Sequence, residues 1–395
     1  MNNKKKWKYG MFGLVFTVIC GCGGSIKKGK TEQQMDDVIS NGFICETEQG
    51  IIFSGNTEMA YYYDYQTEQT LPLCAKANCR HESETDCMAK KLTSVAFLPV
   101  IYKNDLYYLN LNDDHSRWDF YRSNIDGTNE KKLAELEYET QPLNAAFHED
   151  KVYLIGSIYG SNEQGTIQDR TELYSIDLES GVVQPLLSIS YGESGDVWLD
   201  FVHIYKDSLY FQFFSREADT SYVNGYYEMN LEDGTIHFLE WTKDALIKDG
   251  KNNYILMDCN RTFETSGKEI RESAVLTYRN LDTGESEELT DLIEQGRALI
   301  VDDGCLYMEV SEGRKTGTWK FYSWETKETK TIAEVSLEME YFFLEYAVKV
   351  KGKEQLIGEW KEAQENGEII KGHYMISLED FLEGKESYQL LCQVN

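Results

Sequence analysis

Residues 200–214 read DFVHIYKDSLYFQFF, and residues 225–241 read GYYEMNLEDGTIHFLEW. The first segment is an apolar run, a tight polar turn at Lys206-Asp207-Ser208, and an alternating run. The second is an alternating run through Tyr226 to Asn230, a Glu232-Asp233-Gly234 turn, and a further run from Thr235 to Trp241. Side chains alternate across a strand with a period of two, and glycine supplies the positive φ that tight hairpins use. The stretch therefore predicts four short strands in an antiparallel meander.

That unit recurs along the chain. Ile52, Tyr107, Tyr153, Tyr210, Tyr254, Tyr307 and Leu356 mark its second strand, and Tyr61, Tyr121, Tyr174, Tyr227, Tyr278, Tyr322 and Tyr374 mark its third. Both series step by about 50 residues, a spacing of propellers or solenoids. An acid or amide stands three residues after many of these tyrosines, as at Asp64, Asp177 and Asn230. Gly-bearing turns follow at Asp126-Gly127, Ser180-Gly181 and Asp233-Gly234. First strands such as FLPVIY, FVHIY and RALIV are continuously apolar, which suits an innermost strand covered on both faces. The 27 Tyr against four Pro also favour strands.

The expectation is an all-β fold, a single β-propeller of seven four-stranded blades occupying residues 40–395. The units fall at 40–92, 93–141, 142–191, 192–241, 242–292, 293–335 and 336–395, the last being the least regular because Asp380 to Gly384 lengthen its final turn. Six or eight blades, or an open solenoid of stacked hairpins, would use the same turn chemistry. The first and last units each own four strands, so no strand exchange is expected to latch the ring.

The N-terminus reads as an address. Lys4, Lys5, Lys6 and Lys8 form a basic region, and Gly10 to Ile19 form an apolar core too short to span a membrane. Gly21-Cys22 follows. Cys22 suits lipidation better than Cys20, because a small residue precedes it whereas Ile19 precedes Cys20. The expected division is a lipoprotein signal peptide at 1–21, a lipidated Cys22 with a flexible tether at 22–39, and then the propeller. An ordinary secretory signal is the alternative. The protein is thus expected outside the cytoplasm, held at the cell membrane by its lipid alone, and monomeric.

Net charge is −29, and loss of the four signal lysines leaves −33. Such a surface repels nucleic acid, and no basic stripe interrupts it. Nucleic-acid partners are excluded on that ground.

Residues 71–92 read LPLCAKANCRHESETDCMAKKL. Cys74, Cys79, His81 and Cys87 form a C-x4-C-x-H-x5-C pattern. Thiolate and imidazole are the ligands zinc takes tetrahedrally, so the cluster has the right types and number for a structural site. Cys79 and His81 would point the same way in an extended chain. A disulfide among the three cysteines is the other reading, since an exported protein permits one; reduced, idle thiols are the third. Cys45, Cys259, Cys305 and Cys392 remain. Pairing of Cys259 with Cys305, or of Cys45 with Cys392 across the ring, is weaker than their burial as small apolar residues.

The segment YYYDYQTEQTLPLC, with Cys79, His81 and Cys87 after it, resembles a signature of uncharacterised surface lipoproteins of anaerobic Gram-positive bacteria. These are similar to TolB-like and low-density-lipoprotein-receptor-like propellers. With the N-terminal pattern and the aromatic repeats, the likeness covers most of the chain. It implies a lipid-anchored propeller without an established activity. Six blades are frequent among such proteins, and the count of seven departs from that.

No G-x-S-x-G elbow, phosphate-cradling G-x-x-x-x-G-K or H-E-x-x-H occurs. Glycosidase chemistry needs two facing carboxyls, whereas the acids here gather in turns such as Glu149-Asp150 and Asp302-Asp303. The leading expectation is a surface binding module for a protein or glycan. A glycosidase or lyase with an unrecognised site, or an envelope assembly factor, are the alternatives. The long connections 156–172, 214–225, 258–273, 310–318 and 360–372 join second to third strands, and the Cys/His segment is expected to share their face.

Overall fold

The structure, a computed structural model, describes residues 38–394 outside breaks at the connections, the longest being 243–252. The signal segment, Cys20 and Cys22 lie outside the described residues. Among the described residues no helix is long and apolar enough to cross a membrane.

The described strands form seven antiparallel sheets, each ordered as in the chain. A short strand, β1 (Val38–Ser40), precedes them. The first sheet holds β2 (Ile44–Thr47), β3 (Gly50–Phe53), β4 (Tyr61–Asp64) and β5 (Gln69–Pro72), and helix α1 (Met88–Lys91) follows. The second holds β6 (Val100–Tyr102), β7 (Asp105–Leu111), β8 (Arg117–Ser123) and β9 (Lys131–Glu137). The third holds β10 (Thr140–His148), β11 (Lys151–Asn162), β12 (Gly165–Asp177) and β13 (Val183–Ser190). The fourth, which is the stretch quoted first, holds β14 (Val197–Tyr205), β15 (Ser208–Arg216), β16 (Tyr222–Asn230) and β17 (Ile236–Thr242). The fifth shows β18 (Asn253–Phe263), β19 (Glu269–Asn280) and β20 (Ser286–Leu292); its expected first strand, around 245–248, lies outside the described residues. The sixth holds β21 (Ala298–Val301), β22 (Gly304–Val310), β23 (Thr316–Ser323) and β24 (Thr329–Ser336). The seventh holds β25 (Tyr341–Val350), β26 (Lys353–Ala363), β27 (Ile369–Ser377) and β28 (Gln389–Val394), with α2 (Leu378–Leu382) before its last strand.

The tyrosine repeat is a cross-strand device. Tyr61 lies opposite Phe53, Tyr121 opposite Tyr108, and Tyr227 opposite Phe211. Their rings stack at 6.0, 5.4 and 5.4 Å between centroids. Facing aromatic pairs of this kind tie second to third strands. The polar residue three positions after Tyr174 and after Tyr227 shapes the next turn. Asp177 Oδ1 accepts from the Ser180 amide at 2.7 Å and the Ser180 hydroxyl at 2.7 Å, and these bonds hold its carboxyl below the usual range. Asn230 Oδ1 accepts from the amides of Glu232 and Asp233 in the same way. Gly181 then takes φ +74°, and a Cβ there would stand 1.9 Å from the Leu133 carbonyl of the neighbouring sheet. Only glycine allows both that backbone and that approach.

Strands near the axis are rich in apolar residues because both of their faces are covered. On β3, Ile51 and Phe53 pack against the seventh sheet while Ile52 packs toward the second. On β10, Ala145 and Phe147 face the second sheet and Ala146 faces the fourth. First strands touch from sheet to sheet, β2 with β6, β10 with β14, and β21 with β25, so they gather about a common axis. The first and last sheets pack together through Ile44, Phe53, Tyr63, Val348, Ile357 and Leu391. The sheet order closes on itself and each end sheet keeps its own four strands, so the fold is an all-β propeller and not an open solenoid.

Three features depart from expectation or add to it. Among the described residues, strand pairing runs on into 156–172 and 258–273, which were expected as long loops. β11 and β12 stay paired out to Asn162 opposite Gly165, past a register shift at Ile158/Tyr159, and β18 and β19 out to Phe263 opposite Glu269. The long last turn becomes α2, capped by Ser377, whose Oγ accepts from the Asp380 amide at 3.1 Å. Its Phe381 meets Trp319 of the sixth sheet edge-on at 6.0 Å. Finally, β1 adds to the free edge of β10, with Val38 opposite Phe147 and Ser40 opposite Ala145.

Candidate metal centre

The segment from Leu73 to Leu92 leaves the first sheet and lies in the seam before the second. Leu73 and Leu92 are fully buried, and Met88 nearly so, in the core shared by the first three sheets. The Leu73 amide donates to the Ala60 carbonyl at 2.8 Å, and the Ala60 amide donates to the Ala89 carbonyl at 2.9 Å. Ala60 thus clamps both ends of the segment at the foot of β4. On the other side, Lys91 Nζ meets Glu130 Oε2 at 2.5 Å and the Tyr108 hydroxyl at 3.3 Å, above the Tyr108 and Tyr121 rings. The fully buried Tyr108 donates its own hydroxyl to Glu130.

Between these anchors the four expected residues converge. One ligand atom each from Cys74, Cys79, His81 and Cys87 lies within 4.8 Å of every other. His81 Nδ1 and Cys87 Sγ are 3.1 Å apart. Cys87 is buried at 2% exposure and starts α1; the other three are half-buried. None of the three sulfurs is in a disulfide. The backbone is turned rather than extended, which corrects the expectation for Cys79 and His81. The Cys79 amide closes a turn on the Lys76 carbonyl at 3.2 Å, and Asn78 and His81 adopt φ of +60° and +56°. Left-handed backbone at a non-glycine residue costs roughly 1 kcal/mol or more and is kept where surroundings enforce it.

The thiols are electrostatically distinct. Burial pushes Cys74 up, but hydrogen bonds from the backbone of Lys76 and Met88 and from the Cys79 and Cys87 thiols outweigh it, so its pKa is lowered. Cys87 is raised to about 11, first by burial and then by its thiol neighbours. A tetrahedral zinc with Zn–S near 2.3 Å needs sulfurs about 3.8 Å apart, so the donors stand within roughly 1 Å of that spacing. The Cys3His group could bind a metal. With four protein donors it would be a closed site, holding structure rather than a reacting water.

The segment does not stand wholly on the side of the second-to-third hairpins, as expected from sequence. Met88 reaches the third-to-fourth turn of the second sheet, where a Cβ on Gly127 would lie 2.5 Å from Met88 Cγ. The cluster therefore belongs to the seam between two sheets. Of the other cysteines, Cys45 and Cys305 are fully buried, Cys392 is buried, and all three are free, as small core residues are. Cys45 and Cys392 sit in different cores, which removes the ring-closing disulfide, and Cys305 has no disulfide partner. The side chain of Cys259 is outside those described.

Sequence reasoning missed Lys91, Glu130 and Tyr108. Their meeting depends on how α1 docks, and no local pattern announces it. Among the described residues Asp119 is the one buried carboxylate, and Arg117 and Lys132 stand 3.5 Å from its Oδ1.

No protein-family model and no curated protein matches the chain. Several solved structures are similar. The β-propeller domain of the Trilobed protease from Pyrococcus furiosus, described as having an open velcro topology, shares 12% identity at a TM-score of 0.48, over 91% of this chain and 98% of its own. The tricorn protease shares 12% identity at 0.45 over 93% of this chain, which spans only 37% of that protein's length. TolB from Acinetobacter baumannii shares 13% identity at 0.35, over 87% of this chain and 78% of its own. At such identities and scores the likeness is one of fold, and it carries nothing about activity or ligand.

Proposed function

We propose that the protein is a lipid-anchored, extracytoplasmic propeller that binds a surface protein or glycan through its second-to-third hairpins. The observation that carries this reading is the extension of the β11–β12 hairpin past the start of β10, where Thr140 faces Ile158, out to Asn162 opposite Gly165. Insertions on a rigid scaffold collect where partners are met. The basic, apolar and Gly21-Cys22 order supports the anchor. Affinity capture from intact cells with the mature chain as bait should recover a partner, and replacing residues 159–167 by a two-residue turn should abolish its recovery. Capture unchanged by that replacement would remove the hairpins from the reading. Metabolic labelling with a lipid analogue should mark the wild type and not Cys22→Ala. A glycan-cleaving enzyme is less well supported, since Asp119 is engaged by Arg117, Lys132 and the Tyr121 hydroxyl.

We further propose that Cys74, Cys79, His81 and Cys87 hold a structural zinc ion. The convergence of four soft donors within 4.8 Å, with no disulfide among them, supports metal over a covalent staple. Protein purified without chelator should contain one zinc per chain, lost in Cys79→Ser. Absence of metal together with two blocked thiols would establish the disulfide instead.

A further inference from the structure

The direction of β1 orients the molecule on its membrane. β10 is the first strand of its sheet; one edge pairs with β11, and the other, facing the axis, pairs with β1. β1 also touches β2 and β6, so it runs inside the ring beside the first strands of three consecutive sheets. The pairing is antiparallel and its register sets the sense of travel. Val38 sits opposite Phe147, next to the turn at Glu149-Asp150, and Ser40 sits opposite Ala145, farther from that turn. All first-to-second turns lie at one end of a meander ring, here Lys103-Asn104, Glu149-Asp150, Lys206-Asp207 and Asp302-Asp303. The chain therefore enters the central channel through the mouth ringed by these turns. β2 then runs back toward the same mouth, where it turns into β3.

We infer that the face of first-to-second turns is held toward the membrane and that the second-to-third hairpins face outward, toward a partner. This rests on lipidation at Cys22. Residues 23–37 separate Cys22 from β1. Even fully extended, the sixteen steps from Cys22 to Val38 reach at most about 55 Å. A folded body of this length has a radius of gyration of about 21 Å, equivalent to a sphere about 26 Å in radius, so a tether running from the mouth a quarter of the way round and then straight down to a membrane at the opposite face needs about 65 Å. The chain cannot turn the molecule over. The extended hairpins then project where a protein or glycan outside the cell can reach them, and the charged turns stay under the body.

Two measurements separate this inference from the anchor reading. The first uses the Cys22→Ala chain carrying Ile39→Cys and Ala146→Cys. Directly opposed residues place their Cβ atoms about 5 Å apart, so mild oxidation should join these two, seen by peptide mass mapping. Absence of the cross-link overturns the channel path whatever the lipid does. The second uses the lipidated chain on vesicles containing nitroxide-labelled lipid, with a fluorescent non-natural residue at position 104 or position 162. Quenching several-fold stronger at 104 than at 162 supports the orientation; equal or reversed quenching overturns it. If the Cys22→Ala chain stays with membranes, the anchor reading fails instead, and the orientation argued from its length fails with it.

Discussion

The first sheet has strands of only four residues, and its two seams are sealed by different means. Against the seventh sheet it uses bulk. Phe53, Tyr63 and Tyr65 fill the space together with Val348, Ile357, Met375 and Leu391. Polar contacts decorate the edge: Tyr65 donates to Glu46 at 3.2 Å, and Lys351 pairs with Glu68 at 2.7 Å. Against the second sheet it offers Cys45, Ile52, Ala60 and Leu73, a thinner apolar face. The intersheet segment supplies the rest, bringing Met88 and Leu92 into the core and folding the Cys/His cluster over them. A small sheet in a ring must bury both faces, and where its own side chains fall short a local cross-link can take their place.

The largest effect is expected where bulk alone seals. Phe53→Ala removes a fully buried ring at the closing seam and should cost about 3–5 kcal/mol in denaturant unfolding. A loss under about 1 kcal/mol would mean that the ring is closed by something other than this core. On the side of the proposed metal, Tyr108→Phe deletes the hydroxyl that fastens Glu130 and Lys91, and should cost about 1–1.5 kcal/mol without changing any metal content. Loss of zinc in that variant would show that α1 docking and the metal site are one unit.

The closing seam also carries a pH dependence. His373, packed 6.0 Å from Phe53, is held below its ordinary pKa by burial, with Glu359 opposing. The folded chain therefore keeps His373 neutral in a window below about 6.5 where the unfolded chain takes up a proton. Stability from this group is complete above that pH and declines as pH falls toward the folded pKa. A His373→Gln chain should show a flatter fall in unfolding free energy between pH 6.5 and 5 than the wild type; identical slopes would remove His373 from the seam's balance. The smallest effect belongs to Lys351→Ala. Both partners of its ion pair are about half exposed, so the change should stay within about 0.5 kcal/mol and vanish in salt.

Much of the ring was legible because its signals are local. The tyrosine series, the Asp and Asn after them and the Gly turns each act within a dozen residues, and they mark the strand pairs where the structure has them. The β11–β12 hairpin was expected as a loop since polar residues such as Ser161 and Asn162 interrupt the apolar pattern, although backbone pairing does not depend on it. The Cys/His set was legible as residue types. Its geometry was not, because the positive φ at Asn78 and His81 and the clamp at Ala60 come from tertiary packing. β1 was invisible for the same reason: three residues carry no periodicity, and their partner lies more than a hundred positions away.

The contrast between the seams is tested most directly by hydrogen exchange with and without metal. Amide exchange would be followed over peptides covering 60–92 and 100–109, and over 344–357 and 389–392, before and after chelation. Removing the metal should speed exchange several-fold at Ala60 and Leu73, whose amides tie the segment to its seam, and leave the closing seam unchanged. Exchange that is unaltered in both regions, or that rises equally in both, would contradict a metal-held first seam.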